Sequence, residues 1–407
     1  MYHDVGWMKT TAFLFYLLLV VGALNTTHNA VYNQCLLFVH QDLPGSDFQL
    51  KLTVTLYFCA IFFVRCLIGL VADRCSGRKC IVITLWVALL GHVLAGSSTH
   101  LSMFVVARFI QGLGLGGGQV LGLVLLMQLF SHKGRASIIA AEQVIFSVAA
   151  VSLPLLGHYF SAHGHWRWMY GIYSALTMVA IVYFSLFQLR ESSIDVPSET
   201  SATTSHSLMT NRAFLLPTLM AAFTASAYCL WVSYFSLLVQ HYHIDFSYLM
   251  LYQLLPLLPY FIGSIGFKKW TASVSKAVWM RRILAIQAAT FLSILLLLGW
   301  NKTGKTFPWA LLVPILLHNI ASAFFRPWMQ EKALEAVPVH KIGSASSFLS
   351  ICQVGVNAIF SIFINCIGSF LPAFVGVQLL INLSILAYLC GQLRPNGAKK
   401  VSSSQVV

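Results

Sequence analysis

Apolar stretches of the length needed to cross a bilayer, about 20 residues each, recur along the chain with short polar breaks between them. They run roughly from Thr10 to Val39, Leu50 to Ala72, Ile81 to Ala95, Leu101 to Phe130, Ile138 to Phe160 and Trp168 to Leu189. A second series runs from Ala213 to Val239, Phe246 to Phe267, Ala277 to Trp300, Pro308 to Phe325, Gly343 to Ile367 and Leu371 to Leu393. The pattern predicts an all-α membrane protein of twelve transmembrane helices. One long polar stretch, Arg190 to Arg212, interrupts the series and is rich in serine and threonine, among them Ser192, Ser193, Ser198, Thr200 and Ser201, a composition that suits a flexible linker. The expected organisation is a six-helix bundle over 1–189, a cytoplasmic linker over 190–211, a second six-helix bundle over 212–393 and a cytoplasmic tail over 394–407. The first span is too long for a signal-peptide core and lacks a small-residue cleavage pattern, so it reads as an uncleaved helix.

Composition removes one class outright. Of 407 residues, 58% are hydrophobic and 9% charged, whereas soluble domains carry about 25% charged residues. The net charge of +14, from 25 Lys plus Arg against 11 Asp plus Glu, would suggest a nucleic-acid partner in a soluble protein. Here its placement matters more. Arg74, Arg78, Lys79, Lys133, Arg135, Arg190, Arg212, Lys268, Lys269, Lys276, Arg281, Arg282, Lys332 and Lys341 fall in the even-numbered connections, while the other face receives Lys51, Arg167, Lys302 and Lys305 with the acids Asp42 and Asp47. The positive-inside rule then puts both termini in the cytoplasm of a multi-pass protein of the cell (inner) membrane. The expected partners are the lipid bilayer, a small-molecule substrate and protons, with no nucleic acid, no cofactor and a monomeric chain. Nine cysteines are scattered singly without metal-ligand or redox spacing and read as buried thiols.

Two stretches carry chemistry. The loop after the second span reads Gly69-Leu70-Val71-Ala72-Asp73-Arg74-Cys75-Ser76-Gly77-Arg78-Lys79. An acid among three cations in a tight turn makes a poor solvated face and a good latch, because the carboxylate can seat on a neighbouring helix N-terminus. The fourth span carries Arg108-Phe109-Ile110-Gln111-Gly112-Leu113-Gly114-Leu115-Gly116-Gly117-Gly118. A dinucleotide-binding reading of its glycines fails, since no strand precedes them and no acid follows about twenty residues on. Gly112 with Gly116, and Gly114 with Gly118, are one turn apart and allow close approach of a neighbouring helix. Arg108, Gln111 and Gly112 share a face that must meet protein or a watery cavity.

The loop resembles the signature loop of the major facilitator superfamily, with one extra residue between Arg74 and Gly77. The resemblance implies two six-helix bundles, with Asp73, Arg74, Gly77, Arg78 and Lys79 steadying one of two access states. Arg108 to Gly114 resembles an element of the fourth helix of drug/proton antiporters of the bicyclomycin-resistance type, which implies proton coupling at Arg108. Trp166-Arg167-Trp168 resembles the start of their sixth helix, where Trp is also an ordinary interfacial anchor. Gly343-Ser344-Ala345-Ser346-Ser347 resembles their eleventh-helix segment, and its helix N-terminus offers a seat for Asp73. In the fifth span only Pro154 and Gly157 survive of the antiporter pattern.

Ionisable residues within the spans are costly and therefore candidates for function. They are Arg65, Arg108, Glu142, His28, His92 and His318; Arg326, Glu331 and Glu335 read as surface at the end of the tenth span. Glu142 is either an ion-pair partner or the carrier of a proton, with His28 as the other candidate carrier. Asn25, His28, Asn29 and Tyr32 form a polar stripe at i, i+3, i+4, i+7 that should face a cavity. Arg65, Gln111, Trp231 and His318 complete the expected pathway, although the stripe Tyr228, Trp231, Phe235 equally suits packing. No phosphate-binding loop or catalytic constellation is present, which points away from an enzyme and from primary active transport. The expected function is a secondary transporter working by alternating access, as a proton-coupled exporter of amphiphilic compounds. The alternative is a carrier for a specific anionic metabolite such as an organic acid or siderophore, suggested by the arginines and the acid-free first span.

Overall fold

A computed structural model describes chiefly residues 28–71, 77–129, 152–186, 208–241, 275–299, 307–338, 342–367 and 370–393, with short pieces between 245 and 259. Asn25, Asp73, Arg74 and Glu142 lie outside the described residues. The described elements are all helical: α1 (28–42), α2 (Asp47–Val71), α3 (Gly77–Gly96), α4 (Leu101–Leu129), α5 (152–162), α6 (Arg167–Leu186), α7 (Arg212–His241), α8 (Lys276–Gly299), α9 (Phe307–Glu335), α10 (Ile342–Cys366) and α11 (Phe370–Leu393). Eight of them are long and apolar enough to cross a membrane. In lipid only a helix satisfies its own backbone, which is why the apolar runs take this form. Observed ends of α2, α3, α4, α6, α7, α8, α10 and α11 agree with the predicted spans to within a few residues.

The tenth span departs from its expected end. Instead of stopping at Phe325, α9 continues to Glu335 through Pro314 and Pro327. Arg326 is therefore not a surface residue: it is half-buried, nine residues inside the helix, and Met329 beyond it is fully buried. Glu331 and Glu335 are exposed, as read from the sequence. The cysteine reading also needs correction, since Cys35 and Cys80 are buried but Cys66, Cys366 and Cys390 are exposed on helix faces.

Helix packing divides the described elements into two sets. In the first, α4 packs against α2 and α3, and α3 against α6; in the second, α7 packs against α9, α10 and α11, and α8 against α9 and α11. Glycines set the spacing of the first set, and they serve two neighbours. A Cβ on Gly112 or Gly116 would lie 2.6 Å from the Tyr57 carbonyl oxygen or 2.9 Å from Ile61 Cα, so this pair faces α2. A Cβ on Gly114 or Gly117 would lie 2.3 Å from the Ala88 nitrogen or 2.7 Å from Thr84, so these face α3. Gly114 thus shares its face with Gly117.

At the end of the molecule that carries the 42–46 turn, the first set is tied together by side chains. Trp166 is fully buried and donates from Nε1 to Asp42 Oδ2 at 2.7 Å. Arg167 reaches the same carboxylate oxygen at 3.4 Å and the Ser98 carbonyl at 3.2 Å. Trp168 is exposed, as an interfacial anchor should be. The two tryptophans of one short motif therefore do different work, one inside the clamp and one outside it.

Candidate functional site

The densest polar constellation lies between α1, α2, α3, α4 and α6, around Arg108. Its guanidinium is fully buried and sandwiched between the rings of Tyr32 and Tyr57, at 4.0 and 4.1 Å. In the plane of the fork, Nη1 donates to His28 Nδ1 and to Gln111 Oε1, both at 3.0 Å, and Nη2 donates to Asn29 Oδ1 at 3.3 Å. Gln111 passes the network on, donating to the Gly91 carbonyl at 3.1 Å and to His92 Nδ1 at 3.3 Å. His28 lies against His92 at 5.1 Å and Tyr173 at 4.9 Å between ring centroids. Cation–π contact on both faces plus three in-plane acceptors compensates the desolvation of a charge that has no carboxylate beside it among the described residues.

The sequence brings these groups together by register. Arg108 and Gln111 are three residues apart on α4, and His28, Asn29 and Tyr32 lie on one side of α1. The absence of a side chain at Gly91 lets Gln111 approach the backbone, since a Cβ there would lie 2.7 Å from Gln111 Cγ. Of the α1 stripe, His28, Asn29 and Tyr32 are buried. Tyr32 bonds Thr53, which in turn donates to the Leu50 carbonyl at 2.5 Å.

From this cluster one bond crosses to the second helix set: Asn29 Nδ2 donates to Ser233 Oγ on α7 at 2.7 Å. Ser236 Oγ adds a bond to the Asn33 carbonyl at 2.6 Å. A second crossing joins α2 to α10. Thr55 Oγ1 meets Ser361 Oγ at 2.8 Å and accepts from Asn365 Nδ2 at 2.7 Å, while Tyr234 hydroxyl reaches Ser361 at 2.5 Å. Further along the same pair of helices, Arg65 Nη1 donates to Ser350 Oγ at 2.7 Å. These short neutral side chains form a seam. Removing the Thr55 hydroxyl should loosen it: in a double-mutant cycle of Thr55→Val with Asn365→Leu, thermal unfolding in detergent is expected to give a coupling of about 0.6–1.7 kcal/mol.

The second set has its own buried polar cluster. His318 Nε2 donates to the Thr224 carbonyl at 3.1 Å, and its Nδ1 accepts from Gln287 at 3.4 Å. Gln287 also bonds Asn382, whose amide donates to the Gln378 carbonyl at 2.7 Å. With both ring nitrogens engaged by neutral groups, His318 holds α7, α8, α9 and α11 together as a neutral hydrogen-bonding partner. Trp231 is buried with its ring tilted against Phe235 at 5.1 Å and Phe374 at 6.3 Å, and its Nε1 finds no protein partner.

Lys79 is exposed in the first turn of α3; Gly77 and Arg78 open that helix, and Gly343 lies in the first turn of α10. Two polar stripes run along α10 and α9. Gln353, Asn357, Ser361 and Asn365 recur every four residues along α10, a polar stripe legible by spacing alone. Asn319, Ser322 and Arg326 recur at i, i+3, i+7 on α9. Asn319 Nδ2, Ser322 Oγ, Gln353 Nε2 and Asn357 Oδ1 are buried polar atoms that find no protein partner. Buried groups of this kind ordinarily hold water or a ligand.

Comparison with known proteins places this architecture. The folds of two solved structures superpose over nearly the whole chain: the nucleoside transporter NupG, with a TM-score of 0.69, 10% identity and coverage of 93% of this chain and 98% of that one, and a D-xylose-proton symporter, with a TM-score of 0.70, 12% identity and coverage of 93% and 96%. In sequence, the chain is 24% identical over 176 residues to the glucose transporter GlcP of Staphylococcus epidermidis, which is 43% of this chain and 40% of that protein. It is 30% identical over 177 residues to the multidrug resistance protein MdtL of Shigella dysenteriae, 43% of this chain and 44% of that protein. The match thus spans about two-fifths of the length of these relatives. Residues 14–362 match the Major Facilitator Superfamily as a family, and with most of its length inside that match the chain belongs to the Major Facilitator Superfamily.

Proposed function

We propose that the chain is a secondary-active transporter that moves a small molecule by alternating access, as two six-helix bundles (1–189 and 212–393) joined by the 190–211 linker rock against each other. Membership of a transporter family sets it apart from enzymes. Both termini face the cytoplasm, the chain works as a monomer, and Asp73, Arg74, Gly77, Arg78 and Lys79 latch against the α10 start at Gly343.

One observation carries the coupling reading: a titratable ring in the first half is wired to the second half through His28, Arg108, Asn29 and Ser233. Arg108 can donate to His28 only while Nδ1 keeps its lone pair. A proton on that nitrogen would remove the bond and set two cations face to face at 3.0 Å. Arg108 would then shift, and the Asn29 bridge to α7 with it. The groups facing His28 are Arg108, His92, Tyr57, Tyr170 and Tyr173, so no carboxylate among the described residues competes for the proton. Glu142 is the other candidate carrier.

The cargo reading favoured by the likeness to MdtL is proton-coupled export of small amphiphilic compounds. A specific observation favours the second reading, a carrier for an anionic metabolite. Arg65, Arg108 and Arg326 all lie inside helices, whereas the acids among the described residues lie toward helix ends (Asp42, Asp47, Glu331 and Glu335) or outside any helix (Asp245). A pathway of that sign attracts carboxylates and repels lipophilic cations.

The test is flux of ethidium and of labelled carboxylates in vesicles holding the full chain, with and without a pH gradient. Gradient-driven flux is expected, and His28→Gln, which still accepts from Arg108 but does not titrate, should make it gradient-independent. Equal flux with and without the gradient in the unmodified chain would remove proton coupling, and flux of cations alone would remove the anionic reading.

A further inference from the structure

On the outer face of the α2–α10 seam lies an apolar groove of about 440 Å³, lined by Cys59, Phe62 and Phe63 of α2, Phe109 of α4, and Gly355, Ala358, Ile359 and Ile362 of α10. It is built by a missing side chain. A Cβ on Gly355 would stand 2.9 Å from the Phe62 ring, so the glycine lets that ring lie across to the other half and leaves a notch beside it. Its rim is open, with Phe63 54% and Ile359 64% exposed.

Depth decides what covers it. Phe62 stands 15 residues from the start of α2 and nine from its end, which at about 1.5 Å per residue is on the order of 22 and 14 Å from either surface. Both α2 and α10 are membrane-crossing segments over this region. The groove therefore opens into hydrocarbon, and its walls offer no hydrogen-bonding group except the Cys59 thiol. A headgroup or an amphiphile's polar end has nothing to bind there, and an empty groove would forfeit dispersion contacts on all its walls.

We propose that one acyl chain of a membrane lipid lodges in this groove and spans the junction of the two halves, touching α2 and α4 on one side and α10 on the other. The contact surface exists only while Phe62 packs over Gly355. A lodged chain therefore favours the arrangement described here over any in which α2 and α10 slide apart. Occupancy itself does not depend on the rocking motion proposed above, so it can hold or fail independently of transport.

The experiment uses the full chain in phosphatidylcholine vesicles doped with a phosphatidylcholine that carries a diazirine at the middle of one chain. After irradiation, adducts are mapped by peptide mass spectrometry. The reference is the outer face of α8 at Ala285, Ala289 and Leu292, which is apolar, exposed and, at 7 to 14 residues from the helix end, comparable in depth to the groove. Adducts on 59–63 and 355–362 are expected to exceed those on α8 by about tenfold, the factor carried by ~1.4 kcal/mol. Ile359→Trp, or Ile362→Trp if the first does not fold, fills the notch from its rim and should bring groove labelling down to the α8 level while α8 labelling stays unchanged. Equal labelling of the groove and α8 in the unmodified chain would overturn the proposal. So would groove labelling that survives the tryptophan in a folded variant.

Discussion

Arg108→Ala is expected to lower the stability of the detergent-solubilised chain by about 3 kcal/mol and to reduce transport by at least about 100-fold. Two opposed effects meet at this side chain. Deleting it relieves the cost of burying a charge, but it strands three acceptors, His28 Nδ1, Gln111 Oε1 and Asn29 Oδ1, and opens a void between the Tyr32 and Tyr57 rings. Each stranded buried acceptor costs about 1–3 kcal/mol, so the loss outweighs the relief. Arg108→Met fills the void without donors and should sit between the two in thermal unfolding. Arg108→Lys keeps the charge but lacks the planar fork, so it should recover stability in part and transport hardly at all. If Arg108→Met proved more stable than the unmodified chain, the charge would be a net burden that only function retains, and the hub role in stability would be lost.

The second large effect is expected at Gly114. Its added methyl would lie 2.3 Å from the Ala88 nitrogen and 2.6 Å from Ala88 Cα, backbone atoms that no rotamer change can clear. Gly114→Ala should therefore force α3 away from α4 along their whole contact, at a cost of about 3 kcal/mol or more, the upper end for overpacking. Fluorescence-detected size exclusion should show most of the variant aggregated or absent. Gly171→Ala on α6, where a methyl meets nothing within 4 Å, is the control and should be neutral or slightly stabilising. A well-folded Gly114→Ala with a normal melting temperature would mean that the α3–α4 interface yields more readily than its spacing implies.

Among the described residues the helices were legible in the sequence because a bilayer leaves a chain few choices, and most apolar runs ended within a few residues of the helices. The exception, α9, shows the limit of that rule. The predicted span ran through Pro314 but stopped at Phe325, just short of Pro327; in lipid a broken helix would expose more backbone than a proline leaves unbonded, and α9 runs through both. The same misreading hid Arg326. At the site, the pairing of Arg108 with Gln111 followed from their spacing on one helix. Their bonds to His28, Asn29 and His92 did not, since those partners lie 19 to 80 residues away. The α2–α10 seam was less legible still: Thr55 and Ser361 stand 306 positions apart, and nothing local marks either as the other's partner.

That seam has an electrical consequence. Among the bonds described between the two helix sets, the side chains other than Arg65 are neutral: Asn29, Thr55, Ser233, Tyr234, Ser236, Ser350, Ser361 and Asn365. Breaking these bonds carries no formal charge through the membrane field, in which one elementary charge crossing 100 mV is worth about 2.3 kcal/mol. In the proposed rocking motion, voltage therefore has little grip on the parting of these neutral bonds, and what it does grip is left to Arg65 and Arg108.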